Sequence, residues 1–247
     1  MKESNSFKAA KAANRTVNLI IILILIVSLL VSGYAFYDSW YLTNQVDRFT
    51  PSDDEGIYAS FMKLREENSD VVAWIRVDDS NINYPVLKGT DNETYLSLDA
   101  EKKSSSTGSI FMDYRNAADF TDMQTVLYGH NMSGGRMFAD VKNFSDQSYF
   151  ESHKTGRIYL PDKILEFDIV EYLQADSMDR IIYGVPHNTV ESVSELASHL
   201  NDISIYQRET ITTDANYITL STCTVVEEYG RHLLVCKITG ESPVTQN

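Results

Sequence analysis

The sequence predicts a mostly β protein: a closed barrel of eight strands with an N-terminal helix and a second helix ahead of the seventh strand, preceded by one transmembrane helix. Three observations predict it. Residues 17–36 form one predominantly apolar run, with Asn18 near its start. Eight short runs rich in β-branched and aromatic residues follow, bounded by Asp, Ser, Asn, Gly or Pro. Two stretches, 53–67 and 190–200, carry apolar residues at helical spacing instead. Many short strands with few helices favour a closed barrel over a doubly wound sheet, because closure removes exposed strand edges. The chain then divides into a basic cytoplasmic tail (1–16), a transmembrane signal-anchor (17–36), a linker (37–52) and an extracellular domain (53–247).

The apolar run includes Leu19-Ile-Ile-Ile-Leu-Ile-Leu-Ile-Val27. Its helix, at about 1.5 Å per residue, reaches roughly 30 Å, enough for one bilayer crossing. A cleaved signal peptide is the competing reading. Its apolar region would be about 7–15 residues long and would end in a small-x-small site, of which Val31-Ser-Gly-Tyr-Ala35 is a poor version. Lys2, Lys8, Lys11 and Arg15 precede the run, while Asp38, Asp47 and Arg48 follow it. The positive-inside rule therefore expects a single-pass protein of the cell membrane, N-terminus in the cytoplasm. Tyr34, Tyr37, Trp40 and Tyr41 suit the outer interfacial belt. A site outside the cell has no default access to ATP.

In the ectodomain, Ser52-Asp-Asp-Glu55 has the pattern of a capping box, and Ile57, Phe61 and Leu64 follow at helical spacing. The strand expectations are 71–77, 82–86, 109–112, 124–128, 156–160, 164–173, 217–222 and 232–238, with Pro161-Asp162 as turn chemistry between two of them. Val193, Leu196, Ala197 and Leu200 mark the second helix.

The chain has 21 Lys+Arg against 35 Asp+Glu, a net charge of −14, and the tail holds Lys2, Lys8, Lys11 and Arg15 against Glu3 alone, so the remainder is more acidic still. Such a domain lacks the electrostatic footprint for phosphate backbones, so nucleic acid is not an expected partner. No Cys/His cluster has zinc spacing, and no Gly-x-Ser-x-Gly or phosphate loop occurs, so neither metal nor cofactor is expected.

Two cysteines remain to be explained. Cys223 ends the strand-like run Tyr217-Ile-Thr-Leu-Ser-Thr, where a side chain can be presented on a rigid element. A thiol attacks a carbonyl only as the thiolate, which an imidazole or guanidinium nearby favours. Of the five histidines, His130 is best placed, in the glycine-rich turn Gly129-His-Asn-Met-Ser-Gly-Gly135. His153 and His199 suit solvated positions, His187 follows Pro186 in a loop, and His232 alternates to the face opposite Arg231. If residues 224–230 connect antiparallel strands, Arg231 sits opposite Cys223, a permanent positive charge beside a thiolate or oxyanion. Cys236 would then lie roughly 16 Å down the ladder at about 3.3 Å per residue. A disulfide needs Cα atoms within about 7 Å, so Cys236 is expected as a buried, inert core residue.

These segments resemble the sortase family, and class B sortases in particular. Leu220-Ser-Thr-Cys223 is similar to the family's nucleophile strand, Leu127-Tyr-Gly-His130 to its histidine strand end, and Arg231-His-Leu-Leu-Val-Cys-Lys237 to its arginine strand. Upstream, 68–77, 82–86, Asp91-Asn-Glu-Thr-Tyr-Leu96 and Gly108-Ser-Ile-Phe-Met-Asp-Tyr114 agree, so the resemblance spans roughly 53–240. It implies a cysteine transpeptidase. Cys223 would attack the Thr carbonyl of a C-terminal sorting motif in secreted proteins, and an amine of a lipid-linked peptidoglycan precursor would resolve the thioacyl-enzyme. His130 would be acid and base, and Arg231 would hold the substrate and its oxyanion. The resemblance also implies that Asn92, Leu96 and Ser221 line the peptide groove. His232 after Arg231 departs from the pattern, and the stretch 175–186 carries no motif. Two alternatives stay open on the residues alone: a hydrolytic cysteine peptidase, and a non-catalytic binding module on a membrane stalk.

Overall fold

The computed structural model describes residues 5–47, 51, 53–132, 134–223 and 229–244. The chain forms two compact units, Met1–Arg48 and Phe49–Asn247. The first is one helix, α1 (Asn5–Asp47). Within it Ala13–Tyr37 is long and apolar enough to cross a membrane, 25 residues at a mean hydropathy of 2.8. The helix continues to Asp47, through most of the stretch expected as a linker, because no Pro or Gly interrupts residues 34–47.

The second unit opens with α2 (Asp54–Glu67). Its N-cap is Asp53, whose side chain accepts from the Gly56 N–H, rather than the expected Ser52, which lies outside the described residues. Ile57, Phe61 and Leu64 are buried against Val71, Trp74, Leu87 and Tyr159, each contributing about 1.5–3 kcal/mol. The strands are β1 (Val71–Val77), β2 (Asn83–Leu87), β3 (Ile110–Met112), β4 (Gln124–Tyr128), β5 (Asn131–Met132), β6 (Arg136–Met137), β7 (Thr155–Tyr159), β8 (Lys163–Asp176), β9 (Ser204–Gln207), β10 (Tyr217–Cys223) and β11 (Gly230–Pro243). A short α3 (Gln147–Ser152) precedes β7, and α4 (Val190–Ile203) precedes β9.

The sheet runs β11-β10-β4-β3-β2-β1-β7-β8-β9, and β11 also pairs with β8. That second pairing closes eight strands into a barrel, with β9 an added strip on β8. The length of β8 makes this possible. One of its edges follows β11 from Lys163 to Asp176, while the other pairs first with β7 and then with β9. Every expected strand forms. The sequence reading missed β9, since Ser-Ile-Tyr-Gln follows α4 with no Gly or Pro to break the helical pattern, and it missed the β5–β6 ribbon and α3.

Two parallel pairings matter most for function. β10 runs parallel to β4, and β2 parallel to β3. Parallel neighbours need long crossovers, and here they are the stretches 88–109, from β2 to β3, and 129–216, from β4 to β10. The second carries α4, whose Leu196, Ala197 and Leu200 pack on Tyr217, Leu233 and Val235. Cys236 is wholly buried, level with Ile218 on one side and Ile169 on the other. Burial pushes its thiol well above the ordinary range, so it stays protonated and inert, as expected.

Candidate active site

Three neighbouring strands bring the chemistry into one row. β10 and β11 pair antiparallel with Cys223 opposite Arg231. On its other edge β10 pairs with β4, Ser221 opposite Tyr128, and the Gly129 N–H reaches the Ser221 carbonyl at 3.2 Å. Two residues further, the same register sets Cys223 level with His130. Adjacent strands lie about 4.8 Å apart, so Cys223 occupies the middle position of His130–Cys223–Arg231. The connection 224–228 lies outside the described residues.

His130 is half-buried, and its Nε2 lies 2.9 Å from the Leu96 carbonyl. A carbonyl only accepts, so Nε2 carries the proton and Nδ1 is the nitrogen left for proton exchange. The turn holding that carbonyl is dictated by glycine. Gly108 sits at φ +56°, and a Cβ there would fall 2.6 Å from the Leu96 oxygen. Gly129 has a similar reason: a Cβ would strike Ile110 at 2.4 Å and the Phe138 ring at 2.7 Å, so only glycine lets β4 end against them. Arg231 is half-buried too, and one guanidinium N–H donates to the Gly230 carbonyl at 2.8 Å.

These groups border a groove of about 360 Å³. Asn92, Leu96, Ser221, His130 and Arg231 all line it, together with Phe111, Arg115, Tyr128 and Tyr183. Leu96 presents an exposed side chain, and its carbonyl also holds His130. Ser221 is buried with its hydroxyl 2.9 Å from the Tyr183 hydroxyl. Asn92 is more constrained than a loop residue would be: it donates to Asp113 at 2.8 Å and accepts from the Tyr114 N–H at 3.0 Å. Burial would push Asp113 up, but hydrogen bonds from Arg115, Asn92 and Tyr128 hold it below the ordinary carboxylate range. Burial and the Asp113 carboxylate push the Tyr128 phenol the other way, well up, so it stays a donor.

Sequence reasoning missed Arg115, Tyr128 and Tyr183 as groove residues. The usable signal was the charged pair Asp113 and Arg115 directly after an apolar strand. The remaining histidines lie away from the row. His153 stacks on Tyr149 and is bonded to the Asp79 carbonyl, and His199 pairs with Asp179 at 2.7 Å; neither is simply solvated. His187 is buried, and burial lowers its pKa. His232 does alternate away from Arg231. It is half-buried rather than facing outward, its Nδ1 2.7 Å from the Tyr172 hydroxyl.

A cysteine at a strand end, level with a histidine and an arginine on the two flanking strands of a closed barrel, is a different arrangement from that of a papain-type hydrolase, which sets its cysteine at a helix start. Residues 75–238 match the family model for the sortase domain, and the chain belongs to the sortase family. Sortase B of Listeria monocytogenes is 28% identical over 180 residues, 70% of each chain. The crystal structure of Clostridium perfringens sortase B superposes with a TM-score of 0.67 at 30% identity, covering 72% of this chain and 99% of that one. A Staphylococcus aureus sortase B–substrate complex is 29% identical with a TM-score of 0.66, covering 74% of this chain and 85% of the other. These relatives place the chain among class B sortases, cysteine transpeptidases.

Proposed function

We propose that this sortase uses Cys223 as nucleophile, His130 as acid and base, and Arg231 as the oxyanion-side cation, to cleave the C-terminal sorting motif of a secreted protein after Thr and join the resulting acyl group to a cell-wall amine. The observation that carries this is the row His130–Cys223–Arg231 across β4, β10 and β11. The Cys223 thiolate attacks the Thr carbonyl carbon, forming a C–S bond while the carbonyl electrons move onto oxygen. Arg231, a fixed positive charge on the neighbouring strand, favours both the thiolate and that oxyanion. Collapse breaks the C–N bond, and the leaving amine takes a proton from His130 Nδ1. The incoming amine then attacks the thioester and yields its proton to the same nitrogen, and Cys223 departs as thiolate. Nε2 stays bonded to the Leu96 carbonyl throughout, so the ring is oriented while Nδ1 exchanges protons.

The groove suits an extended peptide, with Asn92, Leu96 and Ser221 along its walls. The neighbour solved with a substrate supports a sorting-signal peptide as occupant. The acceptor is a peptidoglycan-precursor amine, and the anchor, through residues 17–36, keeps the enzyme at the membrane where lipid-linked precursors lie. The cytoplasmic tail is 1–16 and the catalytic domain 53–247, outside the cell. The test is intact-mass detection of a thioacyl adduct after incubating the full chain with a sorting-peptide library. One adduct should form, absent in Cys223→Ala and released by an added amine. A Cys223→Ala protein that still cleaves peptide would overturn the assignment.

A further inference from the structure

Asp113 directly follows β3, and its side chain is wholly shielded from solvent. An isolated buried carboxylate is costly, so its donors must be good. It has five. Arg115 supplies its backbone N–H at 3.0 Å and a two-pronged guanidinium contact, Nε at 2.8 Å and Nη2 at 2.8 Å. Asn92 donates at 2.8 Å and the Tyr128 hydroxyl at 3.0 Å. The side-chain donors come from three separate stretches: the crossover 88–109, the turn after β3, and the last residue of β4. Arg115 continues the chain by donating to the Tyr183 carbonyl at 2.9 Å. Tyr183 in turn stacks on Tyr128 with ring centroids 6.2 Å apart and bonds Ser221. One carboxylate thus ties together three walls of the groove.

We infer that Asp113 is the positioning residue of peptide recognition, locking Asn92, Arg115 and Tyr128 into a fixed wall without touching the reacting atoms. This rests on the reading that the sorting peptide occupies this groove. Asp113 and the Asn92 carbonyl are already satisfied, so what the wall still offers a peptide is N–H: the second Asn92 amide proton and the Arg115 Nη1 group. The wall therefore suits peptide carbonyl oxygens, and its rigidity lowers the ordering cost of binding. Because Asp113 bonds none of His130, Cys223 and Arg231, loss of Asp113 should weaken binding and spare turnover.

The experiment compares Asp113→Asn, Arg115→Gln and Tyr128→Phe with the wild-type full chain in detergent, with kcat referred to the iodoacetamide-reactive Cys223 content. For Asp113→Asn, KM for the sorting peptide should rise about tenfold or more while kcat stays within about threefold, the signature of lost uniform binding. The rate of Cys223 alkylation without peptide should not change, which a general loosening of the domain would not permit. The Asp113→Asn/Arg115→Gln double variant should be little worse than Arg115→Gln alone, which already loses both the shared link and the Nη1 donor. If Asp113→Asn does not fold, the same KM-only effect is required of Arg115→Gln and Tyr128→Phe. Unchanged KM in the folded variants, or a kcat loss at constant KM, overturns the inference while leaving the groove assignment intact. A wild-type chain that forms no adduct with any sorting peptide overturns the groove assignment, and this inference falls with it.

Discussion

At the residue scale, the backbone does as much of the positioning as the side chains. His130 owes its orientation to the Leu96 carbonyl, and that carbonyl owes its place to the absence of a Cβ at Gly108. Gly108→Ala should therefore lower kcat roughly tenfold or more, since a displaced acid–base group forfeits part of the 10²–10⁴ such groups contribute. Steady-state kinetics per active thiol would check it, and an unaltered kcat would break the link between Gly108 and His130. The ion pairing of Asp113 has a consequence for stability. Its folded pKa lies below the ordinary value, so its stabilisation is fully present above about pH 4 and is lost as pH falls through the depressed value. Asp113→Asn should accordingly flatten the acid limb of the unfolding midpoint, measured in urea between pH 5 and 3.

At the element scale, β8 organises the domain by serving three partners, and it carries a buried acid. Glu171 is wholly buried, bonded to Gln207 of β9, which also donates to Asn201 of α4 at 2.7 Å. Burial raises its pKa from 4.5 to about 7, against the smaller opposing effect of Gln207. With the folded value raised, the folded state keeps its proton where the unfolded chain has lost it. The stabilisation is full below about pH 4.5 and disappears as pH rises through about 7. Glu171→Gln should thus leave stability at pH 5 nearly unchanged and gain on the order of 3 kcal/mol over wild type at pH 8. Urea melts at the two pH values decide it: equal pH slopes for the two proteins would exclude Glu171 as the titrating group.

For the whole molecule, two compact units share one chain. Within Ala13–Tyr37, long and apolar enough to cross a membrane, the stretch 19–27 is apolar on every face and exposed. The basic residues ahead of it and the acidic excess behind it set the expected direction. Protease applied to intact cells should remove an epitope placed after residue 247 and leave one placed before residue 1. The opposite pattern would put the groove on the cytoplasmic side, away from its substrates.

What was legible in the sequence was whatever is local. Strand period, β-branched content and turn residues are properties of neighbours in the chain, so all eight barrel strands could be read, as could the span and the two longer helices. The Cys223–Arg231 pairing was within reach because a short connection leaves antiparallel strands one simple register. The parallel docking of β10 on β4, which brings His130 level with Cys223, joins residues more than ninety positions apart, and no local pattern encodes it. The same holds for closure through β8 and β11, and for β9, whose four residues are a strand only because β8 extends far enough to receive them. Asp113 shows the limit most clearly. Its type and its place after an apolar strand are visible in the sequence, but its burial, and the three walls it joins, arise from segments that meet only once the barrel has closed.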